Sequence, residues 1–218
     1  SHISNHYINA VKFISNNNLT KKNICMTHSF LMPNNDSSFR DDYVYLGKSF
    51  DEARYIPPSP SDCPSLINNM INKVEALSST PLEQALFLYS ELILIHPFFD
   101  GNGRVARAAF DGIMLKNSLK LLNPNFLRFS LGIKNSIKFI NIINDYIKYG
   151  KDEGIYKDTI AYLTQKSNEI NSEILSCDGT VLNILKYPPS QMIKIISSFR
   201  EKPIQSFQSI VNSSNIES

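Results

Sequence analysis

No charge of one sign dominates this chain: 22 Lys+Arg stand against 20 Asp+Glu, a formal balance of +2, and the basic residues are scattered. That removes the electrostatic footprint of a general nucleic-acid binder. Cysteine is scarce and odd in number, at Cys25, Cys63 and Cys177. None falls in a Cys-x-x-Cys or Cys/His spacing, which excludes a zinc module or a dithiol redox site and leaves free thiols. No apolar run reaches the ~18 residues of a membrane helix. Ser1-His2-Ile3-Ser4-Asn5-His6 lacks the basic and apolar regions of a signal peptide. The expected location is the cytoplasm, or outside the cell for a secreted effector without a cleavable signal. No repeat recurs at periods of ~20–50 residues.

The composition is that of an ordinary globular chain, 218 residues with 42% apolar and 19% charged side chains. At about 100–200 residues per domain, one good-sized core plus an appendage is expected.

Apolar positions Ile8, Val11, Phe13 and Ile14 recur at helical spacing over 7–16. A second helix is expected over 19–32, with Thr20 as N-cap and Pro33 as stop. Between Phe39 and Pro60 the pattern changes: Tyr43 to Leu46 and Tyr55-Ile56 are β-prone, and Gly47 and Pro57-Pro58 punctuate them. A short hairpin or flap is expected at about 40–60. Helical patterns return at about 64–78, 81–95, 104–116, 137–149 and 157–174, so the fold is mostly α. Beyond that, 181–185 is apolar, 192–199 could form a helix, and 204–211 follows Pro203. The expected division is 1–175 as one domain and 176–218 as a linker and the truncated start of another.

The chemistry concentrates in His96-Pro97-Phe98-Phe99-Asp100-Gly101-Asn102-Gly103-Arg104-Val105-Ala106-Arg107. Pro97 should end the preceding helix, setting His96 at its terminus. Gly101-Asn102-Gly103 stand before a new helix, where small residues let N–H groups converge on an anion backed by the helix dipole. Arg104 and Arg107, one turn apart, add more positive charge than one phosphate requires, so a polyphosphate is expected. Asp100 offers a hard oxygen suited to Mg²⁺, and His96 a base near neutral pH. Singly these residues have ordinary structural readings; their combination points to phosphate chemistry.

This segment resembles, without gap or substitution, the signature His-Pro-Phe-x-Asp-Gly-Asn-Gly-Arg-x-x-Arg of the Fic (filamentation induced by cAMP) family. The resemblance extends to Phe39-Arg40, Val44-Tyr45-Leu46-Gly47, Ala53-Arg54-Tyr55-Ile56-Pro57-Pro58 and Leu127 to Ile133, and covers approximately 5–175. It implies an all-α Fic fold with a β-hairpin flap, transferring AMP from ATP to a Tyr, Thr or Ser hydroxyl of a target protein, with Mg²⁺ as cofactor and pyrophosphate released.

The resemblance makes His96 the base and Asp100 the Mg²⁺ ligand. Gly101, Asn102 and Gly103 cradle phosphates, Arg104 and Arg107 neutralise them, and Phe98 anchors the loop in the core. Tyr55, Ile56 and Pro57 form the flap on which an extended target segment would pair. Gly103 stands where a lysine marks phosphorylating relatives.

Family members often carry an inhibitory Ser/Thr-x-x-x-Glu-Gly/Asn helix whose glutamate pairs with the second motif arginine. Ser79 to Glu83, Ser197 to Glu201 and Ser213 to Glu217 are followed by Gln84, Lys202 and Ser218, and none fits. A derepressed chain with Arg107 unpaired is expected, with the inhibitory helix truncated or supplied by an antitoxin-like partner. Residues 201–211 resemble the first part of a winged helix-turn-helix; its recognition helix would lie beyond Ser218, so no specific DNA binding is expected. Reversal of the reaction, another nucleotide, a non-catalytic interaction module and a homo-oligomer remain as alternatives.

Overall fold

The computed structural model describes residues 2–77, 80–117 and 140–141. Asn9–Asn117 form one compact unit; Ser1–Ile8 and Ser118–Ser218 are assigned to a second, of which 2–8 and 140–141 are described. The expected helices at 137–149 and 157–174 lie outside the described residues apart from Ile140 and Asn141, both helical. The patterns at 181–185, 192–199 and 204–211, and the whole of 176–218, lie outside them too.

Helix α1 (His2–Asn16) starts earlier than its apolar spacing suggests. Its Ala10, Val11 and Ile14 are buried, a stripe one turn long, and Phe13 tilts against Phe30 at 5.3 Å. Helix α2 (Lys21–Leu31) begins as expected at Thr20, whose hydroxyl accepts the Asn23 N–H at 3.0 Å. Ile24, Thr27, His28 and Leu31 fall on its buried face, the i, i+3, i+4, i+7 pattern of one helical side.

After a loop come β1 (Leu46–Gly47) and β2 (Ala53–Tyr55), antiparallel, with Leu46 opposite Tyr55, Gly47 opposite Ala53, and an irregularity between. The expected hairpin is present. A single 3₁₀ turn (Pro60–Asp62) leads into α3 (Cys63–Ala76), which buries Cys63, Ile67, Met70, Ile71 and Val74.

Helix α4 (Pro81–Ile95) is the central rod. Thr80 caps it and Pro81 occupies its first turn, where the missing N–H costs nothing. Leu82, every residue from Ala85 to Leu92, and Ile95 are buried, so the helix is covered on nearly all sides, as its lack of a polar face requires. Helix α5 (Asn102–Lys116) packs along it with Val105, Ala106, Ala108, Ala109, Phe110, Ile113 and Met114 inward. At Gly112 a Cβ would collide with the Ile14 side chain, so a hydrogen atom there sets how closely α5 approaches α1. The short loop between α4 and α5 carries the motif.

Candidate active site

Helix α4 stops where Pro97 says it must. His96 is its C-cap, in the left-handed conformation at φ 51°, ψ 57°. Among the described residues it is the only non-glycine with positive φ, a conformation costing about 1–3 kcal/mol and held only where surroundings fix it. Its ring Nδ1 lies 3.3 Å from the Ile93 carbonyl. A carbonyl only accepts, so Nδ1 carries the hydrogen and Nε2 keeps a lone pair. Burial holds the imidazole below its ordinary pKa of 6.5; the Ile93 carbonyl pulls up, the Arg40 charge down, and Asp100 up. His96 is therefore a neutral base at pH 7.

Phe98 is 1% exposed, stacked on His28 at 4.1 Å and edge-on to Phe39 at 5.6 Å. It is the anchor the resemblance implied. Phe99, next to it, is exposed. The loop closes through Asn102: its side-chain oxygen accepts the Phe98 N–H at 2.9 Å and its amide donates to the Phe98 carbonyl at 2.7 Å. Asn102 is buried, so its amide stitches the loop and only its main chain is left to face an anion.

Gly101 is the N-cap of α5 at φ 80°, which glycine adopts without strain. A Cβ there would also crowd Met32. Asn102 and Gly103 are the first residues of α5, two earlier than the expected start at Arg104, so their N–H groups belong to the helix's unpaired first turn. Asp100 is exposed, and its Oδ1 accepts the Gly101 N–H at 2.7 Å, leaving Oδ2 open.

The two arginines differ. A Cβ built on Gly103 would stand 3.3 Å from an Arg107 nitrogen, so this guanidinium lies over the first turn of α5. Among the described residues no hydrogen bond or ion pair engages it. Arg104 is more exposed, and one of its nitrogens approaches the Met32 sulfur at 2.8 Å.

The flap residues alternate. Tyr55 is half-buried and donates its hydroxyl to the Leu94 carbonyl at 2.7 Å, tying β2 to α4. Burial, then the Glu91 charge, raises its pKa, so the phenol stays protonated. Ile56 is 46% exposed and Pro57 buried.

Two residues outside the motif support it, His28 beneath the loop and Arg40 at the end of α4, and sequence reasoning gave neither a role. His28 is 1% exposed; its Nε2 donates to the Asp100 carbonyl at 2.9 Å and its Nδ1 accepts from the Ser37 hydroxyl at 2.8 Å. Arg40, 2% exposed, donates from Nε to the His96 carbonyl at 2.7 Å and from its terminal nitrogens to Ile95 (3.3 Å), Pro58 (2.6 Å) and Asp42 (3.0 Å). Its own N–H donates to the Pro97 carbonyl at 2.8 Å. The only sequence signal was the Phe39-Arg40 pair within the family pattern.

Among the described residues no group of three or more His, Cys, Asp and Glu side chains gathers to hold a metal ion. The lone open Asp100 oxygen still suits Mg²⁺, which binds one or two carboxylates and completes its shell with phosphate and water. No described helix is long and apolar enough to cross a membrane.

Comparison with known proteins fits this geometry. Residues 18–114 match the model of the Fic/DOC family. Over 117 residues the chain is 31% identical to a protein adenylyltransferase Fic of Aedes aegypti and 29% identical to one of Culex quinquefasciatus. Each match covers 50% of this chain and 22% of the relative, so the likeness spans about a fifth of the curated proteins. A solved Fic family protein of Desulfovibrio desulfuricans aligns with a TM-score of 0.54 at 15% identity, covering 96% of this chain and 60% of that one. A Fic domain containing signaling protein of Bacteroides thetaiotaomicron aligns at 0.52 and 17%, covering 93% and 73%. At such identities the structural likeness shows the fold.

Proposed function

We propose, from the premise that residues 18–114 are a Fic/DOC family domain, that the chain transfers AMP from ATP to a Ser, Thr or Tyr hydroxyl of a target protein. The acceptor oxygen forms a bond to the α-phosphorus, the bond to the bridging oxygen breaks, and pyrophosphate leaves. His96 Nε2 takes the hydroxyl proton. Gly103 and Asn102 N–H groups and the Arg107 guanidinium meet the phosphates, with Arg104 at the rim. Asp100 would hold Mg²⁺, which when bound neutralises charge on the phosphate oxygens. The tied flap keeps Ile56 outward, where an extended target segment could pair. A cytoplasmic setting, a bacterial source and control by an inhibitory helix or antitoxin-like partner belong to the same proposal.

The observation that carries this reading is the hydrogen bond from His96 Nδ1 to the Ile93 carbonyl, which leaves the Nε2 lone pair available on a residue just ahead of the first turn of α5. Transfer chemistry of this kind needs positioning and charge neutralisation more than covalent help. The test is incubation with ATP labelled at the α-phosphate, and Mg²⁺, with and without a lysate of candidate targets. Label should enter protein with the wild type and not with His96→Ala. Arg107→Ala should weaken ATP use by roughly 1.5–3 kcal/mol, one charge-assisted bond. Equal labelling by wild type and His96→Ala, or none by either, would refute the proposal.

A further inference from the structure

We infer that Arg40 is a positioning residue for the transfer, fixing His96 and both feet of the flap through one buried guanidinium; this rests on the nucleotide-transfer reading above. Four of its hydrogen bonds run to main-chain carbonyls on two separate pieces of structure. Ile95 and His96 are the end of α4, while Asp42 and Pro58 flank the hairpin on either side. A fifth, from the Arg40 N–H to Pro97, holds the chain just past the base.

Three physical consequences follow from that placement. The last carbonyls of α4 have no intrahelical partner and sit at the negative end of its dipole; a buried cation satisfies two of them. The left-handed turn at His96 directs its carbonyl toward Arg40, and the 2.7 Å bond there holds a conformation that the side chain alone would not favour. The rigid planar fork also links flap and helix with little freedom, so the acceptor segment and the base keep a fixed separation. Lysine, a single charged point, could satisfy the helix end or the flap but not both.

The anion loop is held separately, by Asn102 on Phe98 and by His28 on Asp100. Losing Arg40 should therefore spare nucleotide binding and damage transfer. Arg40→Met and Arg40→Lys, made in the full chain, should bind Mg²⁺ and ATP as the wild type does while kcat falls on the order of 10²-fold for Met. Lys should show a smaller loss, and KM for an acceptor protein should rise in both. Nitrogen NMR of the free protein reads the ring directly. His96 should be the Nδ1–H tautomer in wild type and a mixture of both tautomers in Arg40→Met.

Unchanged kcat together with an unchanged tautomer would overturn the inference. So would equal losses in nucleotide affinity and kcat, or failure of both variants to fold, since either would make Arg40 a residue of stability alone. If the wild type transfers no nucleotide to any acceptor, the functional proposal fails, and the tautomer comparison still decides whether Arg40 orients His96.

Discussion

Asn102 does work that no other side chain of its size could do in the same place. It accepts from the Phe98 N–H and donates to the Phe98 carbonyl, and both main-chain groups are buried with it. A buried donor or acceptor left without a partner costs about 1–3 kcal/mol. Asn102→Ala strands two of them, so its unfolding free energy in urea should fall by about 2–4 kcal/mol, and ATP affinity should fall with it as the loop opens. An unchanged urea midpoint would show that the stitch contributes nothing in solution. The sequence suggested a phosphate-facing place for Asn102 because it stands between two glycines. Its side-chain partner four residues back could not be read, because that contact exists only once Phe98 has been drawn into the core. Arg40 was hidden for a related reason: its bond to His96 closes across 56 residues, and no local pattern encodes such a distance.

At the scale of elements, legibility followed the strength of the stop signals. Helix α4 ran from Pro81 to Ile95 as its capping threonine and terminal Pro97 dictate, and α2 began at its threonine. The strands, of two and three residues, are too short to display a period, so a hairpin region was legible without its register. The start of α5 came two residues earlier than expected because Gly101, in the left-handed conformation, turns the chain so that Asn102 already begins the helix. Nor could any sequence pattern show why residue 112 is glycine. Alanine is the better helix former by about 1 kcal/mol, yet its methyl would meet the Ile14 side chain, with the Val11 carbonyl 3.3 Å away. Overpacking of this kind costs about 1–3 kcal/mol, and the crowding lies at a branched carbon close to the backbone, which cannot swing aside. The collision should win: Gly112→Ala should lower the thermal midpoint, measured by circular dichroism. A raised midpoint would mean that α1 retreats freely from α5.

For the molecule as a whole, the matched stretch 18–114 lies inside the compact unit Asn9–Asn117, so the stability of that unit and the readiness of the site are one property. Two imidazoles sit within it, His28 beneath the loop and His96 at its entrance, and burial lowers the pKa of each below 6.5. The Asp100 carbonyl bond and the Asp100 and Asp36 charges pull His28 partly back, without reversing the direction. Unfolded histidine titrates near ~6.5. Below that pH the unfolded chain takes up protons that the folded chain refuses, so acid favours unfolding. Their contribution is complete above about pH 6.5 and is lost as pH falls through the lower folded values. Asp36, held below 3.8 by the Ser38 N–H and hydroxyl, acts only at more acid pH, which leaves the interval just below 6.5 to the imidazoles. The thermal midpoint should therefore be level from pH 7.5 to about 6.5 and decline on further acidification. His28→Gln, which retains a donor for Asp100 and cannot titrate, should start from a lower midpoint and decline less steeply. A midpoint that stays level through this interval, or a decline equally steep in His28→Gln, would contradict the picture of a loop resting on a neutral, buried ring.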